Sequence, residues 1–426
     1  MPVRERSSVT STAPAAQLSA ASGAAEQIAD RLAEELAVPP RLDDRLPGWW
    51  PQSLAHGGVG IALLHIERAA SGRASWGPAQ HWLRFVTSGE LSIGTNAGLY
   101  FGAPAVEFMV HAAAPHLHGL AEHNLPTLQE ATDRVIGHRL EAARHRLNVR
   151  RRPTLAEFDG IRGLAGLSAV LLCRADPATG PLDQALAHLV AVTEPLMDDP
   201  DLLPGWWSDM APDGTLSVEF TGGHANTGMA HGIAGVLAVL AMALQRGFAV
   251  TGQATAIARI LAWLDRWQQQ GPAGPWWPYW ITRPMLRTSG PIERRPQRPS
   301  WCYGTLGVAR AQQLAAMALG DPHRRAHAEG AAAVALSDPH QLRLINDSSL
   351  CHGYAGVIHI AGLMATDSPT PRTLASTIAP LLEPLTRHLT NQQDPGWMEG
   401  KAGIALALHA LAVRPRTGWD RALLIA

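Results

Sequence analysis

A pair of glycines, usually spaced G-x-x-G, recurs seven times along this 426-residue chain, each time just before an apolar segment. Six copies carry the second glycine at +3, and the second copy has Ala105 there. From the first copy to the last there are 343 residues in six intervals, about 57 each, which suits two helices and their connections. The first glycines are Gly57, Gly102, Gly163, Gly232, Gly304, Gly353 and Gly400.

The segments between these glycines are rich in Ala and Leu, with apolar residues at i, i+3 and i+4, which is typical of amphipathic helices. Seven helical hairpins could form an open solenoid or a closed ring. A solenoid normally needs polar capping repeats, whereas the last copy (IALALHALAV) is strongly apolar almost to the C-terminus. The sequence therefore predicts an all-α fold, an α/α toroid with its glycine-rich loops at one mouth.

Two stretches interrupt the repeat with Pro, Gly and Trp, at about 197–224 and 268–300. Because Trp seldom occurs in flexible spacers, we expect these to be ordered, functional loops beside the mouth. Residues 1–24 are rich in Ser, Thr and Ala and are predicted to be a disordered N-terminal leader. The toroid domain is then predicted to span residues 25–426.

Composition narrows the class of protein. The formal charge of 35 − 36 = −1 argues against electrostatic binding to nucleic acid or an anionic membrane surface. Three cysteines in a chain of this length argue against a disulfide-stapled secreted fold. The longest apolar run, residues 236–244, is too short to span a membrane. We expect a soluble cytoplasmic protein.

Two cysteines and two histidines fall at matching positions of the repeat. Cys302 and Cys351 each lie two residues before the first glycine of their copy, so we expect them to face the same central space. His231 and His352 each lie immediately before a first glycine. Two thiolates and one imidazole make a three-ligand zinc site with an open fourth position, as in catalytic zinc sites. Ordinary core cysteines are the alternative interpretation.

Other polar residues have competing interpretations. His231 could act as a general acid/base, or cap or pack at a helix start. His56 shares its position in the repeat but has no cysteine near it, so a structural role is predicted. Asp159, four residues before Gly163, suits an N-cap as well as an active site. Cys173 ends an apolar run away from the repeat position and is predicted to be a core residue.

The segments FDGIRGLAG, HGIAG, WCYGTLG, CHGYAG and GWMEGKAGIALAL together resemble the lanthionine synthetase C-like family, the cyclases of lanthipeptide (lantibiotic) biosynthesis. The resemblance runs from about Asp30 to the C-terminus. It implies an α/α toroid with zinc held by Cys302, Cys351 and His352.

The resemblance also implies the reaction and further site residues. A peptide cysteine thiolate adds to a dehydroalanine or dehydrobutyrine and forms a (methyl)lanthionine thioether ring, a carbon–sulfur bond. The family pattern assigns His231 to acid/base chemistry and places Asp159, Arg298 and Tyr303 around the site. From the residues alone, Arg298 could be a solvated arginine and Tyr303 a wall or hydrogen-bond donor.

Partners follow from the same resemblance. The chain is similar to free-standing class I cyclases, which implies a dehydrated, leader-bearing precursor peptide as substrate and a separate dehydratase and an exporter as partners. Two alternatives stay open at this point. One is a zinc thiol-alkylating enzyme on a related toroid, and the other is a non-catalytic relative that binds thiols or peptides and needs neither His231 nor Asp159. A glycosidase on such a toroid would need a second well-placed carboxylate beside Asp159.

Overall fold

The computed structural model describes residues 13–40, 50–174, 180–198, 200–212, 214–288 and 295–426, with the backbone alone for 13–21. Its α-helices are α1 (Ala13–Glu35), α2 (Gly58–Ala70), α3 (Trp76–Val86), α4 (Ala103–Ala113), α5 (Leu120–Asn148), α6 (Leu155–Phe158), α7 (Leu164–Leu171), α8 (Pro181–Val192), α9 (Ile233–Gln245), α10 (Gln253–Trp267), α11 (Arg283–Thr288), α12 (Thr305–Leu319), α13 (Pro322–Ala335), α14 (Pro339–Leu342), α15 (Tyr354–Asp367), α16 (Arg372–Ile378), α17 (Leu382–Leu389) and α18 (Lys401–Ala412). Short 3₁₀ helices cover Ala114–His116, Val218–Phe220, Ala379–Leu381 and Trp419–Leu423.

Each first glycine of the repeat is the N-cap of a helix, so the seven copies begin helices α2, α4, α7, α9, α12, α15 and α18. These helices are buried along most of their length. They form an inner ring. A helix that is apolar on every side can remove its surface from water only if other elements pack against it on all sides.

The ring closes. Neighbouring inner helices contact one another in chain order, and the last, α18, contacts the first, α2. An outer helix packs on each inner one; the outer set is α3, α5, α8, α10, α13, α16 and α1. Because α1 comes from the start of the described chain and packs on α18, the two ends of the chain complete one hairpin. The predicted α/α toroid is confirmed.

The predicted domain boundary meets this first helix. α1 begins at Ala13, so the boundary at residue 25 lies inside it, and Ala25 is buried. Residues 1–12 of the predicted leader lie outside the described residues. Within the described residues, no helix combines the length and apolar character needed to cross a membrane.

Close approach explains the second glycine of each pair. A Cβ on Gly307 would lie closer than 3.0 Å to the carbonyl oxygen of Trp301, six residues earlier. The same clash, again with the carbonyl six residues earlier, would occur at the other five second glycines, Gly60, Gly166, Gly235, Gly356 and Gly403. The loop therefore folds directly onto the first turn of its helix, and only glycine leaves room for it.

The described strands lie within or at the borders of the two predicted insertions. They are β1 (Leu196–Asp198), β2 (Asp201–Leu203), β3 (His224–Asn226), β4 (Gln269–Gln270), β5 (Pro275–Trp276) and β6 (Trp280–Thr282). They form three antiparallel pairs, β1–β2, β4–β5 and β3–β6. The β3–β6 pair, with Ala225 opposite Ile281, joins the two insertions to each other.

Candidate functional site

The loops before the inner helices are linked to one another by main-chain hydrogen bonds at the position two residues before the first glycine. Cys302 N donates to Cys351 O at 3.3 Å, and Cys351 N donates to Met398 O at 3.0 Å. On the other side, Ala230 N donates to Cys302 O at 3.2 Å. The repeat positions are therefore equivalent in space, and the loops meet at one mouth.

This linkage places the two predicted cysteines side by side. One ligand atom from each of Cys302, Cys351 and His352 lies within 4.8 Å of the other two. Cys302 is buried, while Cys351 and His352 are half-buried. Three such side chains at this spacing could hold a metal ion.

The two thiols shift each other's pKa in opposite directions. A hydrogen bond from Cys351 lowers the pKa of Cys302 to about 6, assisted by Ser300 and by the nearby charges of His352 and Arg298. The same bond and burial raise the pKa of Cys351 well above its ordinary value. A cation bound between the two sulfurs would favour the thiolate form of both.

Asp347 lies beside His352, a contact that the repeat pattern alone did not predict. His352 Nε2 lies 3.2 Å from Asp347 Oδ2, which is an ion-pair distance, and this buried oxygen makes no hydrogen bond to a described atom. The other carboxylate oxygen accepts a hydrogen bond from Ser349 N at 2.8 Å. A carboxylate behind a ligating imidazole is a recurrent second partner in metal sites. Its position six residues before Gly353, the same as that of Arg298 before Gly304, is a signal that could have found it.

His231 and Asp159 form a hydrogen-bonded pair. His231 Nδ1 lies 2.7 Å from Asp159 Oδ2, and the Asp159 side chain is fully buried. The other oxygen, Oδ1, accepts hydrogen bonds from Arg162 N at 2.6 Å and Gly163 N at 2.8 Å. Asp159 thus closes its own loop, as an N-cap would, and orients His231 as well.

Comparison with another copy of the repeat distinguishes the two contacts of the Asp159 side chain, one with its own loop and one with His231. Ser349 holds the equivalent position in its copy, and its hydroxyl accepts the corresponding hydrogen bond from Gly353 N at 3.1 Å. A serine is sufficient for closing the loop. The carboxylate adds a second acceptor and a negative charge, and both are directed at His231.

Tyr303 lies between the Asp159–His231 pair and the second insertion. It occupies the position immediately before a first glycine, as His231 and His352 do. Its ring stacks on the His231 ring with centroids 6.2 Å apart and also contacts Tyr279 and Trp280 of the second insertion. Burial and the neighbouring cysteine sulfurs raise the pKa of Tyr303, so its hydroxyl stays protonated.

Arg298 brings a positive charge to the cysteines. Its charge acts to lower the pKa of both thiols, and its Nε is buried without a hydrogen-bond partner among the described atoms. The Arg298 carbonyl accepts a hydrogen bond from the Tyr279 hydroxyl at 3.0 Å. Tyr279 was not predicted, because it lies in an insertion outside the repeat.

Cys173 and His56 lie outside this cluster. Cys173, at the end of α7, packs partly buried against the core with Sγ 3.3 Å from Ala169 O, and burial raises its pKa. His56 Nδ1 lies 4.0 Å from Asp394 Oδ2 with about half of its side chain exposed. Neither belongs to the cluster of Cys302, Cys351 and His352.

Comparison with known proteins agrees with this architecture. The family model for lanthionine synthetase C-like proteins matches residues 48–424. The nisin biosynthesis protein NisC of Lactococcus lactis subsp. lactis is 24% identical over 291 residues, which cover 64% of this chain and 65% of NisC. The match thus spans just under two thirds of that relative.

The fold is also that of a solved structure. Nisin cyclase superposes with a TM-score of 0.75 at 20% sequence identity, over 95% of this chain and 97% of that one. At this identity the likeness concerns the fold. Because the family model covers nearly the whole toroid, the chain belongs to the lanthionine synthetase C-like family.

Proposed function

We propose that this protein is a zinc-dependent lanthipeptide cyclase, which adds peptide cysteine thiolates to dehydroalanine or dehydrobutyrine to form (methyl)lanthionine rings. Membership of the lanthionine synthetase C-like family and the similarity to NisC support this proposal. The observation that carries it is the coexistence, at one mouth, of a Cys–Cys–His cluster and a separate Asp159–His231 pair.

The donor set fits zinc. Two thiolates neutralise the divalent ion, and Cys302, Cys351 and His352 would be its ligands, with the fourth position left to substrate. Bound there, zinc would lower the pKa of a peptide cysteine thiol at neutral pH while leaving it nucleophilic.

The remaining chemistry belongs to this chain's own residues. The peptide sulfur forms a bond to the β-carbon of the dehydro residue, and the carbon–carbon π electrons move toward the adjoining carbonyl oxygen, giving an enolate. The α-carbon must then gain a proton, which balances the one lost by the thiol. His231 is the proposed donor through Nε2, because Nδ1 is engaged by Asp159 at 2.7 Å. The Asp159 carboxylate stabilises the charged imidazole.

Arg298 and Tyr303 complete the proposed machinery. The Arg298 guanidinium offsets negative charge near the thiols and can do the same for the enolate oxygen. Tyr303, stacked on His231 and backed by Trp280, forms a wall that restrains the imidazole and restricts water.

The alternatives fit less well. A non-catalytic thiol- or peptide-binding relative would need Cys302, Cys351 and His352 but has no use for a buried carboxylate directed at His231. A zinc thiol-alkylating enzyme with Asp–Cys–His ligation does not account for the paired cysteines. The proposed substrate is a dehydrated, leader-bearing precursor peptide, and a dehydratase and an exporter are proposed partners.

A synthetic peptide with one dehydroalanine and one cysteine tests this function. The expected result is loss of the free thiol without change in peptide mass, faster than in buffer alone. His231→Asn is expected to lower the rate roughly 10²- to 10⁴-fold, while Cys173→Ala, far from the mouth, keeps the wild-type rate. A wild-type rate equal to that in buffer would contradict the proposed activity.

A further inference from the structure

We propose that residues 419–425, here called the closing segment, are a positioning element that fixes the metal-holding loop through Trp301. This inference rests on the proposed function, because it concerns the affinity of the Cys302, Cys351 and His352 cluster for its ion. The segment is made of the 3₁₀ helix Trp419–Leu423 and the two residues after it. It is almost entirely buried, although it follows the last helix of the ring.

The closing segment touches the loop that carries Cys302. Trp301 immediately precedes Cys302, is 2% exposed, and donates from Nε1 to the carbonyl oxygen of Leu423 at 2.8 Å. The Tyr100 hydroxyl, from the loop before α4, donates to the neighbouring Ala422 carbonyl at 2.7 Å. Side chains from two mouth loops are therefore tied to adjacent carbonyls of one segment.

The segment itself is held firmly on both sides of these carbonyls. Arg310, buried in α12, donates from Nε and Nη2 to the Ile425 carbonyl at 2.9 and 2.7 Å. Asp420 lies 3.0 Å from His359 Nε2, and the Trp419 ring stacks on the same imidazole. A segment fixed by a buried guanidinium and a buried imidazole is a rigid support, not a tail that follows the loops.

The same segment lies beneath the acid–base pair. Leu424 adopts the left-handed conformation at φ 58°, which is strained for a residue with a side chain. Its side chain packs against Gly160, the residue after Asp159, where an added Cβ would lie 3.1 Å from Leu424 Cδ1. The closing segment thus contacts both the loop of Cys302 and the loop of Asp159.

The chain supplies a matched control for Trp301. Trp397 lies three residues before Gly400, as Trp301 lies three before Gly304, and it is equally buried. Its Nε1, however, has no hydrogen-bond partner among the described atoms. Trp397 also contacts the closing segment, since its ring packs edge-on against Trp419 with centroids 6.0 Å apart. Replacing either indole by phenylalanine removes similar volume next to the segment, but only Trp301→Phe removes a hydrogen bond to it.

The test is zinc affinity by competition with a chromophoric chelator, in wild type, W301F and W397F, with thermal unfolding as a check on folding. Loss of a supporting contact behind a metal site typically lowers affinity about 10- to 100-fold, and W301F is expected at the lower end, about tenfold. W397F is expected to bind as wild type does. Should W301F fail to fold, Tyr100→Phe removes the second bond to the segment, and the same direction is expected.

The outcomes separate this inference from the proposed function. Wild-type protein that binds no zinc would contradict the proposed function and this inference together. Zinc binding by wild type with unchanged affinity in folded W301F would contradict this inference alone. Equal losses in W301F and W397F would also overturn it, because they would trace the effect to indole packing and not to the bond with Leu423.

Discussion

The Asp159 carboxylate divides its two oxygens between two tasks, since Oδ2 lies 2.7 Å from His231 Nδ1 while Oδ1 accepts the main-chain N–H groups of its own loop. A substitution of Asp159 can therefore remove the contact with His231 while the hydrogen bonds to the loop amides remain. The two effects have different readouts, stability for the first and turnover for the second.

Asp159→Asn keeps a carbonyl oxygen for the loop amides but removes the charge that faces His231. We expect its melting temperature to stay near that of wild type while the cyclisation rate falls roughly 10²- to 10⁴-fold. Asp159→Ala removes both functions and should also lose about 1 kcal/mol of unfolding free energy. The measurement is the turnover number beside thermal unfolding for the two variants. Wild-type turnover in the Asn variant would show that the charge has no part in the reaction.

Gly307→Ala tests the explanation of the repeat. Its new Cβ would clash with the Trp301 carbonyl oxygen next to the loop of Cys302, so we expect a loss of about 2 kcal/mol or more in unfolding free energy. Gly330→Ala is the matched control, because Gly330 lies in α13 with nothing within 4 Å of the added Cβ. It should gain about 0.5–1 kcal/mol. Equal effects in urea unfolding would mean that close approach is not the reason for the glycine pair.

His65 links stability to pH. Burial lowers the pKa of His65 from 6.5 to about 4, and its Nε2 lies 2.8 Å from the Leu36 carbonyl at the end of α1. Because the unfolded chain takes up this proton first, acid favours unfolding between pH 6.5 and 4. The free energy of unfolding should fall by about 2 kcal/mol from this residue between pH 7 and 5.

The comparison of wild type with His65→Gln isolates that contribution. The variant cannot titrate, so its unfolding free energy should decline less over the same pH range, whatever its stability at pH 7. Urea unfolding at pH 7, 6 and 5 gives the two slopes. Parallel slopes would contradict the assignment of this pH dependence to His65.

Repetition made much of the site predictable. The cysteines, His231 and His352 were placed by their distance from a first glycine, and main-chain bonds between the loops put equivalent positions side by side. The same logic extends to Asp347, whose position six residues before Gly353 repeats that of Arg298 before Gly304. The position of Asp347 in the repeat is therefore also predictable from the sequence.

Contacts made by residues outside the repeat cannot be predicted from its spacing. Tyr279 reaches Tyr303 through an insertion, and Trp301 meets Leu423 across more than a hundred residues, so neither contact leaves a periodic signal. The start of α1 was missed for another reason. An Ala- and Ser-rich segment resembles a leader in composition, but Ala favours helix strongly, and α1 packs against α18.

Zinc content is the measurement that tests the central claim most directly. Purified wild-type protein should carry about one zinc per chain, and Cys302→Ala and Cys351→Ala should each lose it. Cys173→Ala removes the remaining cysteine and should keep the metal, because Cys173 lies just after the C-terminal end of α7, away from the cluster. Little zinc in the wild type, or full zinc in the Cys302 and Cys351 variants, would contradict a metal centre at this mouth.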